Sequence, residues 1–253
     1  MLQIRKFLLI IMAVVALSSC DMFKIDNYDG PDATLQGSIL DEVTGQLVET
    51  DVNNGSRLML QQLGYAPGPL TRVVNYTGEY CDKLFFSGSY SIDFNTCNFY
   101  PFKVEKINVK KGENTFDFNV KPYIRVKNVK IEQQGDKIVA TCNLQAGDPE
   151  VRLSNVRLFA STDVHVGDQY TSHNPDGAGY QQDFSSAPIV IDENTTYTLS
   201  FDLTTTRNNA YFKVKKDYYF RVGAIAAIAP GGTNVGTIRR NYATYTMINF
   251  SAP

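Results

Sequence analysis

The chain has 253 residues with 24 basic and 26 acidic side chains, a formal net charge of −2. Arg5 and Lys6 stand in a leading segment expected to be removed, and without them the balance is 22 against 26, or −4. That mild acidity argues against a nucleic-acid partner, which demands a concentrated basic face. His165 and His173 are the two histidines and tryptophan is absent, so there is little material for triads or zinc sites, and neither a metal nor a cofactor is expected.

Arg5 and Lys6 precede eleven apolar residues, 7–17. A membrane-spanning helix needs about 20, so this run is too short to span. A basic start, a short apolar core and small residues at a cleavage point describe a secretory signal over residues 1–19. It ends in "LSSC", residues 17–20, which resembles the bacterial lipobox. The resemblance implies that Cys20 is thioether-linked to diacylglycerol and becomes the mature N-terminus, with the lipid bilayer as its partner. Burial of hydrocarbon contributes about 0.8 kcal/mol per CH₂, so one acyl chain holds marginally and two or more hold stably. Residues 20–32 then read as the lipidated end and a polar tether broken by Gly30 and Pro31.

From Ala33 the pattern is β. "ATLQGSILDEVTGQLVE", 33–49, reads as two extended stretches about a turn. "QQLGYAPGPLTR", 61–72, is an interstrand loop in which Tyr65 and Arg72 could form a contact surface. Two short extended runs follow, 78–94 and 105–126. In the second, Phe116, Phe118 and Val120 alternate with Asp117, Asn119 and Lys121, the period of a strand with one buried face. Export would expose Cys81 and Cys97 to an oxidising compartment. They could form a disulfide if their strands are adjacent, or remain two separate thiols. Cys142 alternates with Ile138, Ala140 and Leu144 and reads as a core thiol.

After Pro122 the pattern restarts, with extended candidates at 124–132, 137–145, 151–161, 196–204, 218–227 and 242–251. Tyr197, Leu199, Phe201 and Leu203 form one apolar stripe; Tyr218, Phe220, Val222 and Ala224 form another. Between these strands, 161–183 is the longest polar stretch and holds His165, Tyr170, His173 and Tyr180. Long ordered loops often bind, so these four side chains are candidate ligand contacts. A solvated loop is the plain alternative, and the His spacing matches no metal motif. "KKDYYFRVGAIA", 215–226, resembles the penultimate strand of fibronectin type III domains, with Tyr218 as a structural tyrosine corner; a generic buried strand is the alternative. The expected fold is all-β, two consecutive sandwiches of immunoglobulin or transthyretin type at 33–122 and 123–253 after the lipoprotein signal peptide.

The segment 26–49, with Gly37, Asp41, Thr44 and Gly45, then "LFFSGSY" (84–90) and "VKPYIRV" (120–126), resembles a Bacteroidetes-type lipoprotein family of uncharacterised function. The resemblance implies a carboxypeptidase-regulatory-like first domain, a fibronectin III-like second domain, and genes beside SusC/SusD-like outer-membrane uptake pairs. The function it implies is a non-catalytic outer-membrane lipoprotein at the cell surface, an accessory or ligand-presenting component for import of a glycan or peptide. Two alternatives are a carbohydrate-binding module protein and a glycosidase-type enzyme. Asp21 lacks the acidic cluster that usually follows the lipidated cysteine of surface-exported relatives, which leaves the periplasmic face open.

Overall fold

A computed structural model describes residues 29–65, 68–171, 173–230, 232 and 236–250; the signal segment and Cys20 lie outside the described residues. The first half supplies β1 (Ala33–Asp41), β2 (Arg57–Gln62), β3 (Leu70–Val73), β4 (Glu79–Phe85), β5 (Gly88–Asp93), β6 (Thr96–Cys97), β7 (Lys103–Val109), β8 (Gly112–Thr115) and β9 (Phe118–Val120). The second supplies β10 (Ile124–Gln134), β11 (Lys137–Ala146), β12 (Val151–Ser161), β13 (Gln181–Asp183), β14 (Ile189–Val190), β15 (Thr196–Asp202), helix α1 (Thr206–Phe212), β16 (Asp217–Ile228), β17 (Thr237–Ile238), β18 (Asn241–Tyr242) and β19 (Thr246–Asn249). The fold is an all-β sandwich architecture. Among the described residues no helix is long and apolar enough to cross a membrane.

In the first half, β1 is flanked by antiparallel β4 and by parallel β8 and β9, and this sheet faces a second one ordered β3-β2-β5-β7. Leu35 and Ile39 point inward with Leu58, Leu60, Tyr90, Ile92 and Phe94 to form one core. In the second half, the sheet β10-β11-β15 packs on a larger one built on β13-β12-β16-β18, with β14 on β12 and β19 on β16. Its separate core includes Ile138, Leu144, Leu199, Phe201, Phe220 and Val222. The alternating stripes of β15 and β16 are thus the inner faces of this sandwich, as their period-two pattern requires. β16 differs in being buried along both faces over 220–224, because its outer face carries Arg221 into the first half.

The two halves are joined by more than the chain crossing at Pro122. β17 returns to pair in parallel with β6, Thr237 opposite Thr96 and Ile238 opposite Cys97. Asn241 Nδ2 donates to the Asn98 carbonyl at 2.8 Å, and Arg125 grips Asp41 with two bonds of 2.5 and 2.7 Å. A third apolar cluster of Phe159, Val166 and Tyr242, edged by Tyr219 and Tyr245, lies at this junction.

Three sequence expectations are corrected and one open alternative is settled. Of the two readings for Cys81 and Cys97, the disulfide is absent and they are separate free thiols. Cys81 is exposed on β4, while Cys97 is buried on β6, where its thiol donates to the Phe99 carbonyl at 2.9 Å. Burial pushes the Cys97 thiol up to about 12, which suits a core position rather than exchange chemistry. The second arm of 33–49 makes a single bridge, Leu40 opposite Leu47, rather than a strand. The run 105–126 is interrupted, β8 and β9 each pairing with a different part of β1, while its alternation holds, Val120 lying in the first core and Phe116 and Phe118 against it. The strand expected at 242–251 is split, because the Ala243 carbonyl turns inward to accept from Arg221.

Candidate functional site

Arg221 organises the junction. It is fully buried, and its guanidinium donates to Glu49 Oε2 at 2.6 Å and to the carbonyls of Thr50, Tyr76, Val166 and Ala243 at 3.1, 3.2, 3.4 and 2.8 Å. Its face lies 4.3 Å from the Tyr242 ring centroid. Burial pulls the guanidinium below the ordinary arginine value, and the Glu49 carboxylate opposes that pull. A planar, multiply donating cation suits such a set of converging oxygens. One side chain thereby fixes loop 49–54, the turn at 75–78 and the start of loop 162–173 relative to each other.

Beside this junction lies an open cleft of about 540 Å³, walled by residues 161–171 and by Val52 of the 49–54 loop. From the second half come Asp163, His165, Gln169 and Tyr170; from the first comes Val52. The His165 ring stands edge-on to Tyr76 with centroids 4.9 Å apart and lies 6.2 Å from Tyr170. Asp163 Oδ1 accepts from the His165 amide at 2.9 Å and meets His165 Nδ1 at 2.5 Å. The amide bond first, then the ring bond, hold the Asp163 carboxyl below its usual range, so it is an anionic acceptor at neutral pH. Desolvation raises the Tyr76 hydroxyl, which stays protonated. Asn53 Nδ2 donates to the Tyr170 hydroxyl at 3.3 Å across the junction.

Loop 162–173 can lie this close because of Gly167. A Cβ there would stand 2.3 Å from Asp51 Oδ2. That same oxygen takes the Tyr242 hydroxyl at 3.2 Å, and the Asp168 amide donates to the Tyr242 oxygen at 3.1 Å. The cleft wall is therefore rigid polar packing rather than a free loop. It offers flat aromatic rings, amides, a hydroxyl and a carboxylate in one open concavity, which can stack on and hydrogen-bond a hydroxyl-rich ligand.

Of the candidate contacts, the structure brings His165 and Tyr170 together and leaves the others elsewhere. His173 is buried, stacked 4.3 Å on Tyr211, with Nε2 2.7 Å from Asn208 Oδ1. Tyr180 packs beneath Arg157, whose guanidinium carbon is 5.1 Å from the ring centroid, and beside Phe201. His173 is thus buried and Tyr180 half-buried against the second core, and neither lines the cleft. Tyr65 is 62% exposed on the β2–β3 hairpin. Arg72, on the same hairpin, is held in an ion pair with Asp82 and lies 5.9 Å from the Phe85 ring centroid. Neither lines the cleft. The Tyr218 hydroxyl reaches the carbonyls of Tyr211 and Val214 at 2.7 and 2.9 Å, from a fully buried ring.

Tyr76 and Asn53 were not legible as site residues. They come from turns of the first half, about 90 residues or more from Tyr170 in sequence, and the turn signals "NYTG" and "VNNG" say nothing of what they face.

Residues 124–229 match the family model described as Domain of unknown function (DUF3823_C). The chain is similar to a "putative carbohydrate binding protein" from Bacteroides uniformis, at 42% identity and a TM-score of 0.81, over 87% of this chain and 100% of that one. A DUF3823 family protein from Parabacteroides merdae, at 23% identity and TM-score 0.66, covers the same shares. So does one from Bacteroides ovatus, at 19% and 0.64. These two share the fold. No curated protein matches the chain.

Proposed function

The chain belongs to the DUF3823 family, and from that premise we propose that it is a non-catalytic glycan-binding lipoprotein, held to the outer membrane through acylated Cys20. The observation that carries this reading is the cleft lined by Asp163, His165, Gln169 and Tyr170 at the junction of the two sandwiches, with Tyr76 against the His165 ring and Asn53 bonded to the Tyr170 hydroxyl. The name borne by the Bacteroides uniformis relative supports it. Carbohydrate binding accordingly replaces the accessory role as the leading reading. Service to a SusC/SusD-like uptake pair becomes the setting in which such binding would act, and rests on the sequence resemblance.

A glycosidase needs two carboxyls about 5–5.5 Å or about 6.5–9.5 Å apart across the bond it cleaves. Asp163 is the one carboxylate among the cleft's described lining residues, and His165 engages it. That favours binding over hydrolysis.

The test is titration calorimetry of the soluble mature chain, from Asp21 onward, against a panel of neutral and acidic glycans. Tyr170→Ala should weaken binding about two- to tenfold, since an aromatic contact contributes about 0.5–1.5 kcal/mol, while the melting temperature stays put. Failure to bind any glycan sinks the reading, as does undiminished affinity in both Tyr170→Ala and His165→Ala.

A further inference from the structure

The cleft continues beyond its own wall. Val52, which lines it, also lines a second open groove of about 680 Å³ on the solvent face of the β4-β1-β8 sheet. A second link is the turn at 75–78, closed by the Gly78 amide donating to the Asn75 carbonyl at 2.9 Å, with Gly78 at φ +94°. That turn places Asn75 in the groove and its neighbour Tyr76 against His165 in the cleft. Both volumes fall within the ~300–1,000 Å³ of ordinary ligand sites, and both are open to solvent, so a chain can leave one and enter the other.

The groove's chemistry extends that of the cleft. Gln36, Asn75 and Thr115 offer amides and a hydroxyl, and Glu79 and Asp117 offer carboxylate acceptors. The Gln36 amide reaches Thr115 Oγ1 at 3.4 Å, and Asp117 Oδ1 accepts from the Ser38 amide at 2.8 Å. Neither concavity has a lysine or arginine among its described lining residues. Glu79, Asp117 and Asp163 would repel carboxylated or sulfated sugars, because like charges at close range disfavour one another. Hydroxyl-rich neutral units meet acceptors and donors of both kinds.

We propose that the cleft and the groove form one track for a linear, uncharged oligosaccharide. His165 and Tyr170 take one end of the chain, and the sheet face of Gln36, Glu79 and Thr115 takes its continuation. This rests on the glycan-binding reading of the cleft, and the test separates the two.

The soluble mature chain is titrated with neutral gluco-, xylo- and manno-oligosaccharides, each from the disaccharide to the hexasaccharide, and with oligogalacturonides as the charged comparison. Affinity should rise with length in one neutral series and stay low for the oligogalacturonides. The double variant Gln36→Ala/Thr115→Ala removes one half-buried and one exposed side chain, both outside the core. It should lose about five- to tenfold of the hexasaccharide affinity, the worth of one or two hydrogen bonds, and leave the disaccharide affinity as it was. Equal affinity for short and long chains overturns the track and leaves the cleft reading standing. Tighter binding of oligogalacturonides overturns the uncharged ligand class. Absence of binding at every length overturns the cleft reading and the track together. An unchanged melting temperature of the double variant assigns its loss to contact rather than unfolding.

Discussion

Arg221 carries the geometry of the cleft without touching its interior. Its five oxygen partners belong to four separate segments, so its removal leaves several buried acceptors unpaired at once. Breaking a buried ion pair from one side costs about 3–5 kcal/mol, since the remaining charge loses its compensation. Arg221→Ala should therefore lower unfolding stability in urea by that amount, and a cycle with Glu49→Gln should give a coupling energy above about 1 kcal/mol. A loss below about 1 kcal/mol would mean that the junction holds by its apolar cluster and strand pairing alone. In the sequence, "YYFRVGA" discloses the inner stripe of β16 through Tyr218, Phe220, Val222 and Ala224. It discloses nothing of Arg221, whose partners lie up to 172 residues away. Local periodicity reports which face of a strand meets its own sandwich. It cannot report that the opposite face is covered by another.

At the scale of elements, the long strands of the second half were readable, whereas the short strands β2 and β3 and helix α1 were not. Strand identity is written in alternation that any half-buried sheet imposes. α1 has seven residues, and its N-cap Thr205 makes no side-chain cap bond. Tertiary contacts stabilise it instead. Asn208 is buried and donates from Nδ2 to the Asp202 carbonyl at 2.8 Å, while its Oδ1 meets His173 Nε2 at 2.7 Å and accepts from the Asp176 amide at 3.2 Å. His173 thus has a structural post between α1 and the core, which its polar surroundings in the sequence concealed. Burial lowers its pKa, and the Asn208 bond and the nearby Asp176 charge offset this only in part. The folded state therefore holds the neutral ring, whereas the unfolded chain takes a proton near the ordinary value of about 6.5. Stability is full above that value and falls as pH drops below it, until the folded-state pKa is passed. Urea unfolding at a series of pH values should show this decline, and His173→Gln should flatten it. An unchanged slope in that variant would assign the pH dependence to other groups. Tyr218 closes the same region from β16. Tyr218→Phe leaves the Tyr211 and Val214 carbonyls without its hydroxyl and should cost about 1–2 kcal/mol, read as a lowered melting temperature.

For the whole molecule, the direction of β1 sets the cleft apart from Ala33, where the first sandwich begins. The chain enters the first sandwich at Asp32, whose amide donates to the Phe85 carbonyl at 3.1 Å. Ala33 pairs with Phe85 at that end, and Ser38 pairs with Glu79 nearer the junction. From Ala33 to Asp41 the strand covers about 27 Å at ~3.4 Å per residue. If the chain is anchored at Cys20 as proposed, the first sandwich stands between that anchor and the cleft. Residues 20–33 add a reach of at most about 45 Å when fully extended. Lipidation and ligand binding should then be separable. Cys20→Ala should leave the precursor uncut or release the chain from the detergent-partitioning membrane fraction. The purified soluble chain should bind glycan with the affinity of the acylated form. Normal processing with unchanged membrane partitioning in Cys20→Ala would remove the lipid anchor from the proposal. Loss of glycan affinity on deleting residues 20–28 would show that the tether takes part in binding, contrary to a site at the far end of β1.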